Sequence, residues 1–377
     1  MKFLVVNTDY PEFLDWLYAQ HKGLDEQTCD EQMRVRAESL FGLADFYSSN
    51  LRKLGHEASD VFVNNEAMQK MWAREHGLPQ KQDFRWRLHR QRGFIPWFGR
   101  VRNMDWVKTI LAAQVRHCRP DVLINLAMDG LATSFLQEIK PRIRVLAGVG
   151  EPPVLYKQGN WHVYDLILAP SEAMADHFRK AGIKSELFRF AFEPRADLSV
   201  THTSHRTIPV SFVGSLGKQH ARRHALLESL CTRMGQNIHI WAPSVDGLNN
   251  DSRICRRYQG TAWGIFLYRI LSGSKLTLNC HIDIAGDHAD NMRLFETTGM
   301  GALLLTDWKK NLHNMFDTEM EVVTYKSPEE CCEKAAFYLS HDKERAAIAR
   351  AGRERTFKEH TYYHRMQELL DILKKYV

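Results

Sequence analysis

The stretch "IPVSFVGSLGKQHARRH" (residues 208–224) decides how the chain is divided. An apolar run ends at Gly214, a short loop follows to Gly217, and a helical pattern starts at about His220. Strand, glycine loop and helix in that order open an α/β unit. This opening stands near the middle of a 377-residue chain, after the polar and aperiodic "EPRADLSVTHTSHRT" (193–207), which reads as a linker. The alternation therefore starts twice, once at "KFLVV" (2–6) and again at 208.

Upstream, apolar residues at 33, 37, 40, 41, 44, 47, 51 and 54 predict one long amphipathic helix from Met33 to Leu54, stopped by Gly55. Strand "ASDVFV", a helix over 104–117, strand "PDVLINLA" (120–127), a helix near 131–139, strands "RIRVLAGV" and "YDLILAP", and a helix capped by Ser171 follow. Downstream come strand "NIHIWAP", helix "TAWGIFLYRILSG", strand "KLTLNCHI", a short helix, strands "ALLLTD" and "EVVTY", and helices from 328 to the end. Such alternation predicts an α/β chain with two Rossmann-like domains, parallel sheets facing across a cleft, over 1–195 and 206–359. The last helix, about 360–377, is free to pack back on the first domain.

Hydrophobic residues at 44% and charged ones at 25% are proportions of a globular protein, and no apolar run approaches the roughly 18 residues of a membrane span. The start "MKFLVVNTDY" reads as a strand rather than a signal peptide, and seven cysteines without metal-type spacing read as reduced thiols; both predict a cytoplasmic protein. The formal charge of +6 is carried by one segment, 81–102, where seven basic residues face Asp83 alone. Phe84, Trp86, Phe94, Trp97 and Phe98 interleave with its arginines. Basic plus aromatic suits an anionic acceptor or peripheral contact with the inner face of a membrane; a solvated insertion is the plainer alternative. No nucleic-acid motif accompanies it, and nucleic acid is not an expected partner.

In open α/β sheets ligands sit beyond the carboxyl ends of the strands. Two loops there could hold an anion. One is Gly214–Gly217 with Arg222 and Arg223 about a turn into the next helix; it reads GSLG, so the dinucleotide pattern GxGxxG is not present. The other is "DNMRLFETTGMGALLLTD" (290–307). Here Asp290 or Asn291 would cap a short helix with Arg293 and Glu296, three apart, on one side. A helix start with an arginine suits a diphosphate, and a carboxylate one turn on can accept from two ribose hydroxyls. An Arg–Glu pair on a half-buried helix is the structural alternative. His360 and His364 have a metal-like spacing but no third ligand, so no metal site is expected.

The segments "NMRLFETTGMGALLLTDWKKNLHNMF" (291–316) and "EVVTYKSPEECCEKAAFYLSHDKERAAIARAGRERTFKEHTYYHRM" (321–366), with "VSFVGSLG" (210–217) and "YDLILAPSEAMADHFRKAG" (164–182), resemble CgeB-like glycosyltransferases of the GT-B fold. The resemblance spans about 200–377, with a looser match before it. It implies a nucleoside-diphosphate sugar donor on the second domain, a glycan, lipid-linked or protein acceptor on the first, no cofactor and no essential metal. Carried over by position, Glu296 would bind the ribose, Arg293 and the amides near Asn291 the diphosphate, and Gly214 and Ser215 the sugar phosphate. Arg222 or Arg223 would assist Arg293. Many relatives carry a glutamate eight residues before the one matching Glu296; here that position is His288. If the transfer inverts, Asp9, Glu151 and then Asp129, on first-domain strand-end loops, are the candidate bases. An epimerase acting on the same nucleotide sugars, or a binding protein without turnover, would use the same architecture.

Overall fold

A computed structural model describes residues 1–79, 104–150, 160–201, 205–217, 220–249 and 251–377 in full, and the backbone of 84–89 and 97–102. The first half carries β1 (Lys2–Asn7), β2 (Glu57–Phe62), β3 (Phe84–His89), β4 (Trp97–Arg102), β5 (Val122–Asn125), β6 (Val145–Val149), β7 (Leu166–Ala169) and β8 (Ser185–Leu187). Six of them form a parallel sheet in the order β2-β1-β5-β6-β7-β8. β3 and β4 pair with each other, antiparallel, outside that sheet. Within the basic segment the backbone of 84–89 thus pairs with that of 97–102, and its side chains lie outside the described residues. The second half carries β9 (Ile208–Val213), β10 (Ile238–Trp241), β11 (Ser274–Asn279), β12 (Leu303–Asp307) and β13 (Val323–Tyr325), parallel in the order β10-β9-β11-β12-β13.

The apolar runs are fully buried strands because helices cover both sheet faces. In β1, Phe3 and Val5 enter one core while Leu4 and Val6 enter the core on the opposite face. The core containing Phe3 continues into the second half through Tyr268, Leu271, Leu294 and Phe295. The two α/β domains therefore share packed apolar surface. Among the described residues no helix is long and apolar enough to cross a membrane.

Three elements differ from the sequence reading. The expected helix over Met33–Leu54 is two helices, Cys29–Glu38 and Phe46–Lys53. Between them Leu40, Gly42 and Ala44 all take positive φ, at 57°, 58° and 39°. The helical spacing of Leu40 and Ala44 came from their burial in this turn, not from a continuous helix face. The helix expected from 261 starts at Ile265. Gly264 before it has φ 57° and lies so close to the first half that a Cβ there would sit 2.4 Å from the Ser39 carbonyl oxygen. The expected linker begins as a helix, Pro194–Leu198, tied at both ends of its surface. Arg195 donates to Asp45 (2.6 Å) on one side, and Asp197 accepts two 2.8 Å bonds from Arg353 on the other.

The final helix, Tyr362–Leu373, packs on the first half: the Tyr362 ring lies 5.2 Å from Phe46 and 5.7 Å from Tyr47. Where the chain returns it runs beside the outgoing strand. Phe192 donates its N–H to His360, and Tyr362 donates to Phe192 (2.8 and 2.9 Å).

Candidate functional site

In each sheet the strand order reverses beside the first strand of that half, between β1 and β5 and between β9 and β11. A crevice opens at such a point, beyond the strand ends. In the second half the loops bordering it are Gly214–Gly217 after β9 and Cys280–Met292 after β11.

Arg223, on the helix Ala221–Met234, bridges these two loops. Its guanidinium donates to the Ser215 carbonyl and to the Cys280 carbonyl, both at 2.7 Å, while only 7% of the residue is exposed. Burial pushes its pKa below the usual value. Arg223 is thereby a staple of the crevice wall, whereas Arg222 next to it is exposed. Ser215 is exposed, and its hydroxyl accepts from the Gly217 N–H (3.3 Å). A Cβ on Gly214 would lie 3.0 Å from the Phe212 ring, so the loop passes close over that side chain. His220, 5% exposed, has its pKa pushed down to about 4 by burial and by Arg223.

The helix Arg293–Gly299 follows the β11 loop and leads into β12. Arg293 donates to Glu296 Oε2 at 2.6 Å, and Glu296 is 5% exposed. Among the described residues this pair leaves Arg293 Nη2 and Glu296 Oε1 without a further partner. Asn291 caps nothing by side chain. Its amide instead donates to Asn279 Oδ1 at the end of β11 (2.9 Å), and Asn279 donates to Thr306 on β12 (3.0 Å). Asp290 is half-buried, with its pKa raised to about 6 by burial.

Sequence reasoning missed what holds the β11 loop. His281 Nδ1 meets Asp307 at 2.7 Å, and Lys309 meets the other Asp307 oxygen at 3.2 Å. Burial alone would raise the Asp307 pKa; the His281 and Lys309 charges and the hydrogen bonds outweigh it and lower it to about 2. Asn311 closes the loop by exchanging two hydrogen bonds with the Ala289 backbone (2.7 and 3.0 Å). His288 lies on this loop, half-buried, with a pKa lowered by burial and by Lys310. A titratable residue at or just past each strand end, His281 in "NCHI" and Asp307 in "TDWKK", was the available signal.

The candidate bases fare differently. The Asp9 side chain, 1% exposed, is clamped by Arg36 through two hydrogen bonds, and Arg36 lies 3.9 Å over the Phe62 ring. Asp9 is thus held in this structure as a buried counter-ion of Arg36. Asp129 is exposed on the loop after β5, beside Gly130, which approaches Thr8 at the end of β1. Glu151 lies outside the described residues. Among the described residues no three His, Cys, Asp or Glu side chains are grouped as a metal ion would need.

Comparison of the sequence with curated proteins gives no match. The model of a glycosyl transferase-like family matches residues 222–371. Among solved structures, Anabaena Alr3699/HepE in complex with UDP and glucose superposes with a TM-score of 0.59 at 12% identity, covering 100% of both chains. A glycosyltransferase from Rickettsia africae gives 0.57 at 10% identity, over 99% of this chain and 97% of that one. Sucrose-phosphate synthase from Thermosynechococcus elongatus gives 0.56 at 8% identity, over 99% and 98%. These likenesses establish a GT-B fold across the whole chain. Over its second half, at residues 222–371, the chain matches a glycosyl transferase-like family.

Proposed function

We propose that this chain moves a sugar from a nucleoside-diphosphate sugar onto a glycan, lipid-linked or protein acceptor, without a metal ion, as a CgeB-like enzyme of polysaccharide biosynthesis. One arrangement supports the reading: the glycine loop follows β9 and the Arg293–Glu296 pair lies on the helix between β11 and β12, so both belong to the carboxyl edge of the second sheet. Transfer passes through an oxocarbenium-like state while a negatively charged nucleotide departs. Arg293 and exposed Arg222, with the Ala221–Met234 helix start, would stabilise the charge that develops on the diphosphate. Glu296 Oε1 would accept from a ribose hydroxyl. If the transfer inverts, Asp129 is the candidate base on the first-half side. We place the division of donor from acceptor domain within 195–206. Membrane contact through 81–102, at a cytoplasmic surface, rests on the sequence of that segment.

HepE was solved with UDP and with UDP-glucose, which makes uridine diphosphate sugars the first donors to try. The protein is incubated with them, with and without candidate acceptors, and nucleotide release and sugar identity are followed. Conversion to an epimer without an acceptor would replace transfer by epimerisation. A thermal-shift screen gives the second arm: no stabilisation by any nucleoside diphosphate would leave an inert binding fold. Glu296→Gln is expected to weaken nucleotide affinity roughly tenfold, the loss of one charge-assisted bond. Unchanged affinity would remove Glu296 from the site.

A further inference from the structure

The second sheet has another concave site at its opposite edge. A cavity of about 530 Å³ opens where β9, β11 and β12 begin, lined by Arg206, Lys275, Arg345, Arg350 and Arg353. Among the described residues Asp342 is the only carboxylate in this lining. Asp197, just outside, holds Arg353.

Three of the five cations are anchored. Arg206 donates to the carbonyls of Leu271, Ser272, Ser274 and Met300, at 2.7 to 3.1 Å. Arg353 is chelated by Asp197, and Arg345 holds Asp342 and the Tyr338 carbonyl. Lys275 and Arg350 have neither a hydrogen bond nor an ion pair among the described residues. Two carboxylates therefore face five cations. The crowding registers on Arg206, whose pKa is lowered to about 10 by burial and then by Arg353 and Arg345. A concentrated excess of one charge in a low-dielectric concavity raises the local concentration of counter-ions.

We propose that this basic cavity binds a phosphate-bearing anion at a second site, separate from the sugar-donor crevice. Its volume accommodates an oligophosphate or a phosphorylated small molecule. Arg345 keeps its Nη2 free of the bonds its Nη1 makes, and Lys275 and Arg350 supply ammonium and guanidinium donors that have no hydrogen bond or ion pair among the described residues. Separation from the crevice follows from the strand itself. Lys275 is the second residue of β11 and Asn279 its last, about 13 Å apart at the usual rise. The two sites share one element. The helix that carries Arg293 and Glu296 ends at Gly299, whose carbonyl accepts from Arg353, and the next carbonyl, Met300, accepts from Arg206. An anion that competes with Asp197 for Arg353 thus acts on the end of the same helix.

Calorimetric titration of the full chain with inorganic pyrophosphate tests the site, comparing wild type with Lys275→Ala/Arg350→Ala. The double variant is expected to lose one binding event, or to bind it at least tenfold more weakly, with nucleoside-diphosphate affinity unchanged. Arg293→Ala, at the other edge, identifies any pyrophosphate bound in the crevice. Arg350→Glu, an exposed charge reversal, should reproduce the loss without risk to the fold. Co-sedimentation with vesicles of phosphatidylcholine, with and without phosphatidylglycerol, separates the sources. Loss of anionic-vesicle binding in the double variant places the phosphate on a lipid headgroup; loss of pyrophosphate binding alone places it on a soluble anion. If the double variant matches wild type in both arms, the proposal is overturned.

Discussion

Arg222 and Arg223 are adjacent in sequence and opposite in consequence. Arg222 points to solvent, while Arg223 ties the loop after β9 to the loop after β11 through two carbonyls. Arg223→Met would leave both carbonyls unpaired next to a buried apolar chain, costing roughly 2–4 kcal/mol. Arg222→Ala should stay within about 0.5 kcal/mol. Urea unfolding of both variants checks this, and equal costs would dismiss the staple. Asp307 offers a test by pH. Its folded pKa is depressed to about 2 from an ordinary 3.8, so its contribution to stability is present above about pH 4 and lost as pH falls toward 2. Asp307→Asn is expected to lose about 2 kcal/mol at pH 7, with the gap to wild type flat down to about pH 4 and closing below it. A gap that persists at pH 2 would mean lost packing, not lost charge. At this scale the sequence revealed residue types better than roles. Arg293 and Glu296 were visible because their helical spacing is local. Asp9 looked like Asp129, since both follow a strand, and only the fold brings Arg36 onto one of them.

At the scale of elements, strands and their order of appearance were legible because each is a short apolar run between turn residues. The pairing of β3 with β4 was not, since their alternating charges and aromatics had no partner sheet to announce them. Nor was the break in the Met33–Leu54 pattern, where burial in a turn imitates a helix face. That turn matters because Ser39 receives Gly264 from the other half. Around the contact, Trp263 packs edge-on to Phe41 at 5.1 Å and Phe13 lies over Phe41 at 4.0 Å. Gly264→Ala combines a left-handed φ with a clash against backbone, neither of which a rotamer change relieves. It should cost roughly 2–4 kcal/mol and loosen the contact between the halves. Thermal unfolding and tryptophan emission would show both; a wild-type melting curve would rule the contact out as a constraint.

For the whole molecule, two sheets joined by a mid-chain restart could be read from the position of "IPVSFVGSLG" alone. How the halves adhere could not, because the adhesive residues are far apart in sequence: Arg195 on Asp45, Arg353 on Asp197, Tyr362 on Phe46. Ending the chain after Glu359 would remove Tyr362, Met366, Leu369 and Leu373, all fully buried in the core shared with the first half. Each such side chain contributes about 1.5–3 kcal/mol, so the truncated chain should fail to give a cooperative unfolding transition. A sharp calorimetric melt of that truncation would contradict this. The bridge between Phe192 and His360–Tyr362 carries a further consequence, for synthesis. The second half is in effect inserted into the first, between a departure at 193 and a return at 361. The residues that complete the first half are therefore translated after the whole of the second. The inserted half can finish folding while the amino-terminal half still waits for its closing helix, an order of assembly opposite to the order of synthesis.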